Sequence, residues 1–279
     1  MVGTPFEHIA LKNINLDIPP GSFTVVIGPT GSGKSTLVQH MNGLIRPTSG
    51  EVQVGTYRLR AKKDRTSLLT LRKSIGFLFQ YPEHQLFEET IEKELMFGPM
   101  NFGVSKTEAE RRAKEVLPNV GLSPDLLPNS PLNLSGGQMR RVAIASILTQ
   151  QPELLILDEP AAGLDPEGRQ TILDMLYSYH QKHQQTTVLV THHMEDALRL
   201  ADFIVVMNQG SIFRSGTPEE VFSGPEALVS IGLELPETIR FMQEVKTSFA
   251  LTDVPFLKTR SEVVEYLSHF LSNDRKGDL

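Results

Sequence analysis

The sequence predicts an α/β protein built on a mostly parallel sheet covered by helices on both faces. Three observations carry that prediction. Short apolar, β-branched runs alternate with stretches of helical period, the pattern of strands joined by crossover helices. The first of those runs opens into a glycine-rich loop that ends in Lys34, Ser35 and Thr36, the strand–loop–helix context of a phosphate-binding loop. A long block of helical character, about residues 84–150, interrupts the alternation and reads as an inserted helical subdomain.

Phe23, Thr24, Val25, Val26 and Ile27 are too short a run for a helix and are halted by Gly28, so they read as a buried strand. Residues 34–43 read as the helix after the loop, and residues 51–54 alternate polar and apolar like a half-buried strand. Residues 75–79 form another buried strand, closing at Gln80. Ser105, with Glu108 three positions on, matches a capping box that opens a charged helix through Val116. Residues 137–149 read as a helix with Val142, Ile144, Ala145 and Leu148 apolar. Residues 154–157 and 187–190 read as core strands, with helices at 167–183 and 194–201. Residues 203–207 and 211–213 read as a hairpin about Asn208, Gln209 and Gly210. Beyond Phe222 two apolar stripes appear: Leu235, Ile239, Met242 and Val245, then Val263, Leu267, Phe270 and Leu271, with Pro255 between them. Each reads either as packing on the chain's own core or as a partner surface. Residues 1–222 are thus expected to form the nucleotide-binding domain and 223–279 an extension with a dimer contact.

Bulk properties narrow the classes. The 279 residues suffice for one large domain, or a domain with an appendage. With no cysteine, disulfides and thiolate metal sites are excluded. No apolar run reaches the roughly 18 residues of a membrane span. A net charge of -6 argues against nucleic acid as a partner.

Gly28, Pro29, Thr30, Gly31, Ser32, Gly33, Lys34, Ser35 and Thr36 fit the G-x-x-x-x-G-K-[S/T] pattern. The glycines let backbone amides wrap phosphates, and the helix N-terminus favours the negative charge. Lys34 is placed to reach β- and γ-phosphates, and the Ser35 hydroxyl to ligate Mg²⁺. Asp158 ends a strand expected beside this loop and can hold the metal, directly or through water; Glu159 can polarise the attacking water as general base. Gln80 offers a neutral amide to both Mg²⁺ and the lytic water. A histidine after the strand 187–190 can donate to the γ-phosphate, but spacing alone does not choose between His192 and His193.

Lys34, Gln80, the stretch Leu134, Ser135, Gly136, Gly137, Gln138, the pair Asp158 and Glu159, the run Gly163, Leu164, Asp165, and His192 stand in the order and spacing of the ATP-binding cassette family. The resemblance spans roughly residues 10–220. It implies a P-loop NTPase with a RecA-like core, an inserted helical subdomain, ATP and Mg²⁺ as ligands, and hydrolysis. It assigns Gln80 to the Q-loop, Asp165 to the D-loop and His192 to the switch histidine. It also implies a head-to-tail dimer in which residues 134–138 of one subunit complete the ATP site of the other.

A narrower resemblance rests on residues 80–87, on Phe97, Gly98 and Pro99, on residues 134–144 and on residues 216–222. These look like the ATPases of energy-coupling factor transporters, which import vitamins and metal ions. Gln138, Met139, Arg140 and Arg141, with residues 162–166, look more like the second of that group's two ATPases than the first. The resemblance implies a sister ATPase in a heterodimer, a membrane T component, a substrate-binding S component, and a peripheral position on the cytoplasmic side of the cell membrane. A groove between Gln80 and the insert is expected to receive the T component, with Leu86, Phe87 and Met96 as apolar contacts. The family also carries an upstream strand and an aromatic that stacks on adenine. Phe6 is the nearest aromatic here and is not its equivalent, so lower ATP affinity is expected. Ala161 stands where serine or threonine is common. The runner-up is the ATPase of an importer fed by a soluble binding protein, against which residues 81–87 argue. No coiled-coil heptads support a DNA-repair or chromosome-structuring ATPase.

Overall fold

The run before the phosphate loop is a strand, β1 (Phe23–Ile27), and all five residues are buried because neighbours flank it on both sides. The chain's structure is a computed structural model that describes residues 9–61 and 68–274, with side chains through Phe270; Phe6 lies outside them. Next come α1 (Lys34–Met41), a hairpin of β2 (Glu51–Val54) and β3 (Tyr57–Arg60), then α2 (Leu68–Lys73) and β4 (Ile75–Leu78). The block that follows holds α3 (Ile91–Asn101), α4 (Lys106–Asn119) and α5 (Gly136–Leu148). Then come β5 (Leu154–Asp158), α6 (Pro166–His183), β6 (Thr186–Val190), α7 (Met194–Leu200), β7 (Phe203–Asn208) and β8 (Ser211–Gly216). The chain closes with short α8 (Pro218–Phe222) and α9 (Glu226–Ser230), then α10 (Glu237–Ser248) and α11 (Arg260–Asp274).

The main sheet runs β4-β5-β6-β1-β7-β8, parallel except for β8, which pairs antiparallel with β7 at one edge. β5 does not lie beside β1, because β6 sits between them, with Val190 paired to both Asp158 and Val26. The pleat divides β1 between two cores. Phe23, Val25 and Ile27 join the apolar cluster that includes α3, α4 and α5, whereas Val26 faces Leu37, Val38 and Leu59 on the other side.

Local chemistry modified several sequence expectations. β3 lies outside the expected strands, although Tyr57, Arg58, Leu59 and Arg60 alternate as a half-buried strand does. The strand at 75 ends at Leu78, leaving Phe79 exposed. Only half of the α4 capping box forms. Ser105 Oγ accepts from the Glu108 amide at 3.3 Å, but the Glu108 carboxylate turns to Arg111 and Arg112. Two guanidiniums outbid a backbone N–H for that carboxylate.

The first C-terminal stripe packs inside the chain, and the second does so at Val263, the Leu271 side chain lying outside the described residues. Ile239, Met242, Val245 and Val263 are buried, and Leu228, Leu233 and Ile239 belong to the same apolar cluster as Phe23 and Leu189. The α10 N-terminus is tied to α7 by the Glu237 amide, which donates to Glu195 Oε1 at 2.6 Å. Val229, Phe241, Phe249 and Val264 are the large apolar side chains this extension leaves exposed among the described residues.

Candidate functional site

Parallel strands deliver their carboxyl ends to one edge of a sheet. Here four of them bring the residues singled out in the sequence to that edge: the phosphate loop after β1, Gln80 after β4, Glu159 after β5, and His192 after β6.

The loop's shape demands glycine at two points. A Cβ on Gly28 (φ 151°) would lie 2.2 Å from the Met207 carbonyl oxygen, and one on Gly33 (φ 101°) would lie 2.8 Å from that of Ala10. Gly33 caps α1 without a side chain, and no acidic residue occupies the first turn. The first-turn amides are therefore left for an anion. Lys34 folds over the loop and donates from Nζ to the carbonyls of Gly28 at 2.8 Å and Pro29 at 3.0 Å. Burial pulls its pKa down, although Glu159 and Asp158 oppose this. Ser32 Oγ is buried with no hydrogen-bond partner, a donor that a phosphate oxygen can satisfy.

Although β5 is two strands from β1, Asp158 reaches the loop. Ser35 Oγ donates to Asp158 Oδ1 at 3.1 Å, since α1 packs against β5. Burial raises the Asp158 pKa, and the Ser35 bond works the other way. A hydroxyl and a carboxylate on adjacent elements suit Mg²⁺, which keeps several waters and substrate oxygens in its shell. Among the described residues no cluster of three or more metal-binding side chains exists, so an all-protein cage is not offered.

Glu159 adopts φ 53°, a left-handed conformation that is strained for a residue with a Cβ. Its amide donates to Val190 O at 3.1 Å, which holds the bend. The two carboxylate oxygens face His192 Nδ1 at 2.9 and 2.8 Å. His192 meets Glu159, while His193 lies tilted against the His192 ring at 4.0 Å between centres, and both histidines line the same cavity. Gln80 and Glu159 line one cavity of about 310 Å³, together with Tyr81, Ala162, Gly163 and His192. Asp165 caps α6, accepting from the Gly168 amide at 3.1 Å.

Residues 134–138 stand apart from this cluster. Ser135 caps α5 in a full capping box with Gln138. Ser135, Gly136 and Gly137 are exposed, and a Cβ on either glycine would meet nothing within 4 Å. No hydrogen bond among the described residues joins this helix start to the chain's own phosphate loop.

Met96 is buried, and Leu86 is partly buried against the core. Phe87 remains, 63% exposed and edge-on to Phe97 at 4.8 Å, with Met100 also exposed. Phe97 and Met100 had not been singled out as contacts, because helical period alone does not tell which side of α3 is covered. Two charged residues were missed as well. Glu83 pairs with Arg140 across 57 positions, and Glu94 accepts from the amides of Phe87 and Glu88; a single sequence gives no signal for such pairings.

The family model described as ABC transporter matches residues 11–162. The chain is 53% identical over 268 residues to the energy-coupling factor transporter ATP-binding protein EcfA2 of Halalkalibacterium halodurans, covering 96% of this chain and 95% of that one. Its fold is similar to that of CbiO1 from Clostridium perfringens, part of the ABC transporter complex cbiONQ, with TM-score 0.70 and 35% identity over 84% of this chain and 92% of that one. It is also similar to the ATP-binding cassette MJ0796, solved as a dimer in a post-hydrolysis state bound to ADP and Pi, with TM-score 0.65 and 32% identity over 75% of this chain and 90% of that one.

Proposed function

The chain belongs to the ABC transporter family as an ATPase of the energy-coupling factor type, and from that premise we propose how its residues divide between two ATP sites. It binds and hydrolyses ATP to power uptake, of vitamins or metal ions in the reading favoured by residues 80–87. One site uses this chain's own phosphate loop, Ser35, Asp158, Gln80, Glu159 and His192. The loop amides and Lys34 hold the phosphates. Ser35 and Asp158, joined by Gln80, would hold Mg²⁺, which supplies charge neutralisation at the phosphates. Glu159 accepts the proton of the attacking water, and His192 orients that carboxylate and faces the γ-phosphate. Asp165 lies at the dimer seam.

The other site belongs to the partner. The observation that carries this is the exposed, capped start of α5, open at Gly136 and Gly137 and making no hydrogen bond to the chain's own loop among the described residues. A hydroxyl, open glycine amides and a helix N-terminus suit a γ-phosphate held by a second subunit. We take that subunit to be a sister ATPase. The exposed Phe87, Phe97 and Met100 face receives a membrane T component, and the S component joins through the complex. We take the chain's place in such a complex to be peripheral, on the cytoplasmic side; no described helix is long and apolar enough to cross a membrane.

Ser135→Arg tests the division. It is expected to block ATP-driven closure of the dimer while ATP binding to this chain's own loop persists. Closure unaffected by the arginine would overturn the shared-site reading.

A further inference from the structure

Arg140 joins three segments that have separate roles in the proposed site. It lies in α5, five residues past Ser135. Its guanidinium grips Glu83 as a fork, from Nε to Oε2 at 2.8 Å and from Nη2 to Oε1 at 2.6 Å. The third arm, Nη1, donates to the Ala162 carbonyl at 2.9 Å. The Arg140 side chain is 4% exposed and that of Glu83 16%, so little water competes. Burial pushes the Glu83 carboxyl up, but the Arg140 bond and charge prevail and hold it below the usual range.

Each partner of Arg140 sits at a sensitive place. Glu83 lies in the short 3-10 turn Pro82–Gln85, directly after Gln80 and Tyr81. Ala162 closes the turn after Glu159, its amide donating to Glu159 O at 3.1 Å. Next to it, Gly163 packs against the Tyr81 ring, where an added Cβ would lie 3.3 Å away. The far end of the Gln80 segment is fastened to α3, since Glu94 Oε2 accepts from the amides of Phe87 at 3.0 Å and Glu88 at 2.9 Å. The segment therefore runs from the exposed aromatic face, through two carboxylate anchors, to the start of α5 and the Glu159 turn.

We propose that Arg140 is a positioning residue that makes the Gln80 segment, the α5 start and the Glu159 turn move as one body. A displacement at the Phe87–Phe97 face then reaches both this chain's hydrolytic residues and the donors it lends to its partner. Only a planar guanidinium can make the fork and the third bond at once; an ammonium is a single point charge. A buried pair of this kind resists separation because parting it strands a charge out of water.

This rests on the shared-site reading above. The test uses the complete assembly purified with this chain, comparing Arg140→Met, Arg140→Lys, Glu83→Gln and the double variant Glu83→Gln/Arg140→Met. Arg140→Met is expected to lower kcat for ATP roughly 10- to 100-fold, as misplacement does, while nucleotide affinity and KM stay within about twofold. Arg140→Lys should recover only part of that loss. The double variant should be no worse than Arg140→Met, since both changes cut one link. An unchanged kcat, losses that multiply in the double variant, or affinity falling in step with kcat would overturn the proposal. Should Arg140→Met fail to assemble, Glu83→Gln keeps the side-chain shape and reads the same link; a wild-type kcat there is equally fatal. The two readings fail separately: without shared sites Ser135→Arg leaves closure intact, whereas without the Arg140 link Ser135→Arg still blocks closure and Arg140→Met leaves kcat unchanged.

Discussion

Glu159 concentrates the chemistry in one residue: a strained φ of 53°, a carboxylate against His192, and a strand end shared with Asp158. Glu159→Gln keeps the shape and removes the base. Turnover is expected to fall roughly 10²- to 10⁴-fold with ATP binding retained. Steady-state hydrolysis near wild type in the assembled ATPase would contradict the role. His180 illustrates a residue whose effect is on stability. It is buried edge-on to Phe23, with Nδ1 3.1 Å from Thr187 Oγ1. Burial pulls its pKa below the ordinary 6.5, although Asp202 opposes this. Above that pH both folded and unfolded forms are neutral and nothing is lost. Below it the unfolded chain takes up a proton that the folded one resists, so stability falls as pH drops. Thermal midpoints between about pH 7.5 and 5 should show this decline, and His180→Asn should flatten it; identical slopes would refute the assignment.

Elements supply what residues alone cannot. α3 was readable as a helix, but its exposed and covered faces were not. Glu94 draws the preceding loop onto it, and that leaves Phe87 leaning on Phe97 in solvent. An exposed aromatic pair on a fastened loop is the kind of anchor that dominates an interface. Truncating such anchors typically costs about 2 kcal/mol each. Phe87→Ser with Phe97→Ser is therefore expected to strip the membrane component from a tagged, affinity-purified chain while the protein still binds ATP. Full recovery of the membrane partner would move the docking face elsewhere. α5 shows the reverse case. Its start was legible from Ser135 and Gln138, because capping is a local event that completes itself within four residues.

The whole molecule explains why two of its sites are incomplete. Residues 134–138 sit at the start of an inserted helix, whereas Lys34 and Glu159 sit on the sheet edge, with no hydrogen bond across among the described residues. In a dimer of two different ATPases the consequences separate. Ser135→Arg in this chain is expected to block closure, and Glu159→Gln to leave closure intact while hydrolysis at this chain's own site is lost, as nucleotide-trapping at each site would report. The sequence by itself determined the strand–helix alternation, the phosphate loop, the acidic pair and the capped start of α5. These depend on period, local sterics and neighbours a few residues apart. Tertiary structure alone decided that β6 separates β5 from β1, that His192 and not His193 meets Glu159, and that Leu86 and Met96 are covered while Phe97 is not. It alone placed Arg140 on Glu83 and Ala162. Strand order and long-range ion pairs arise when distant segments bury their faces together, and no local pattern encodes which segment will be the neighbour.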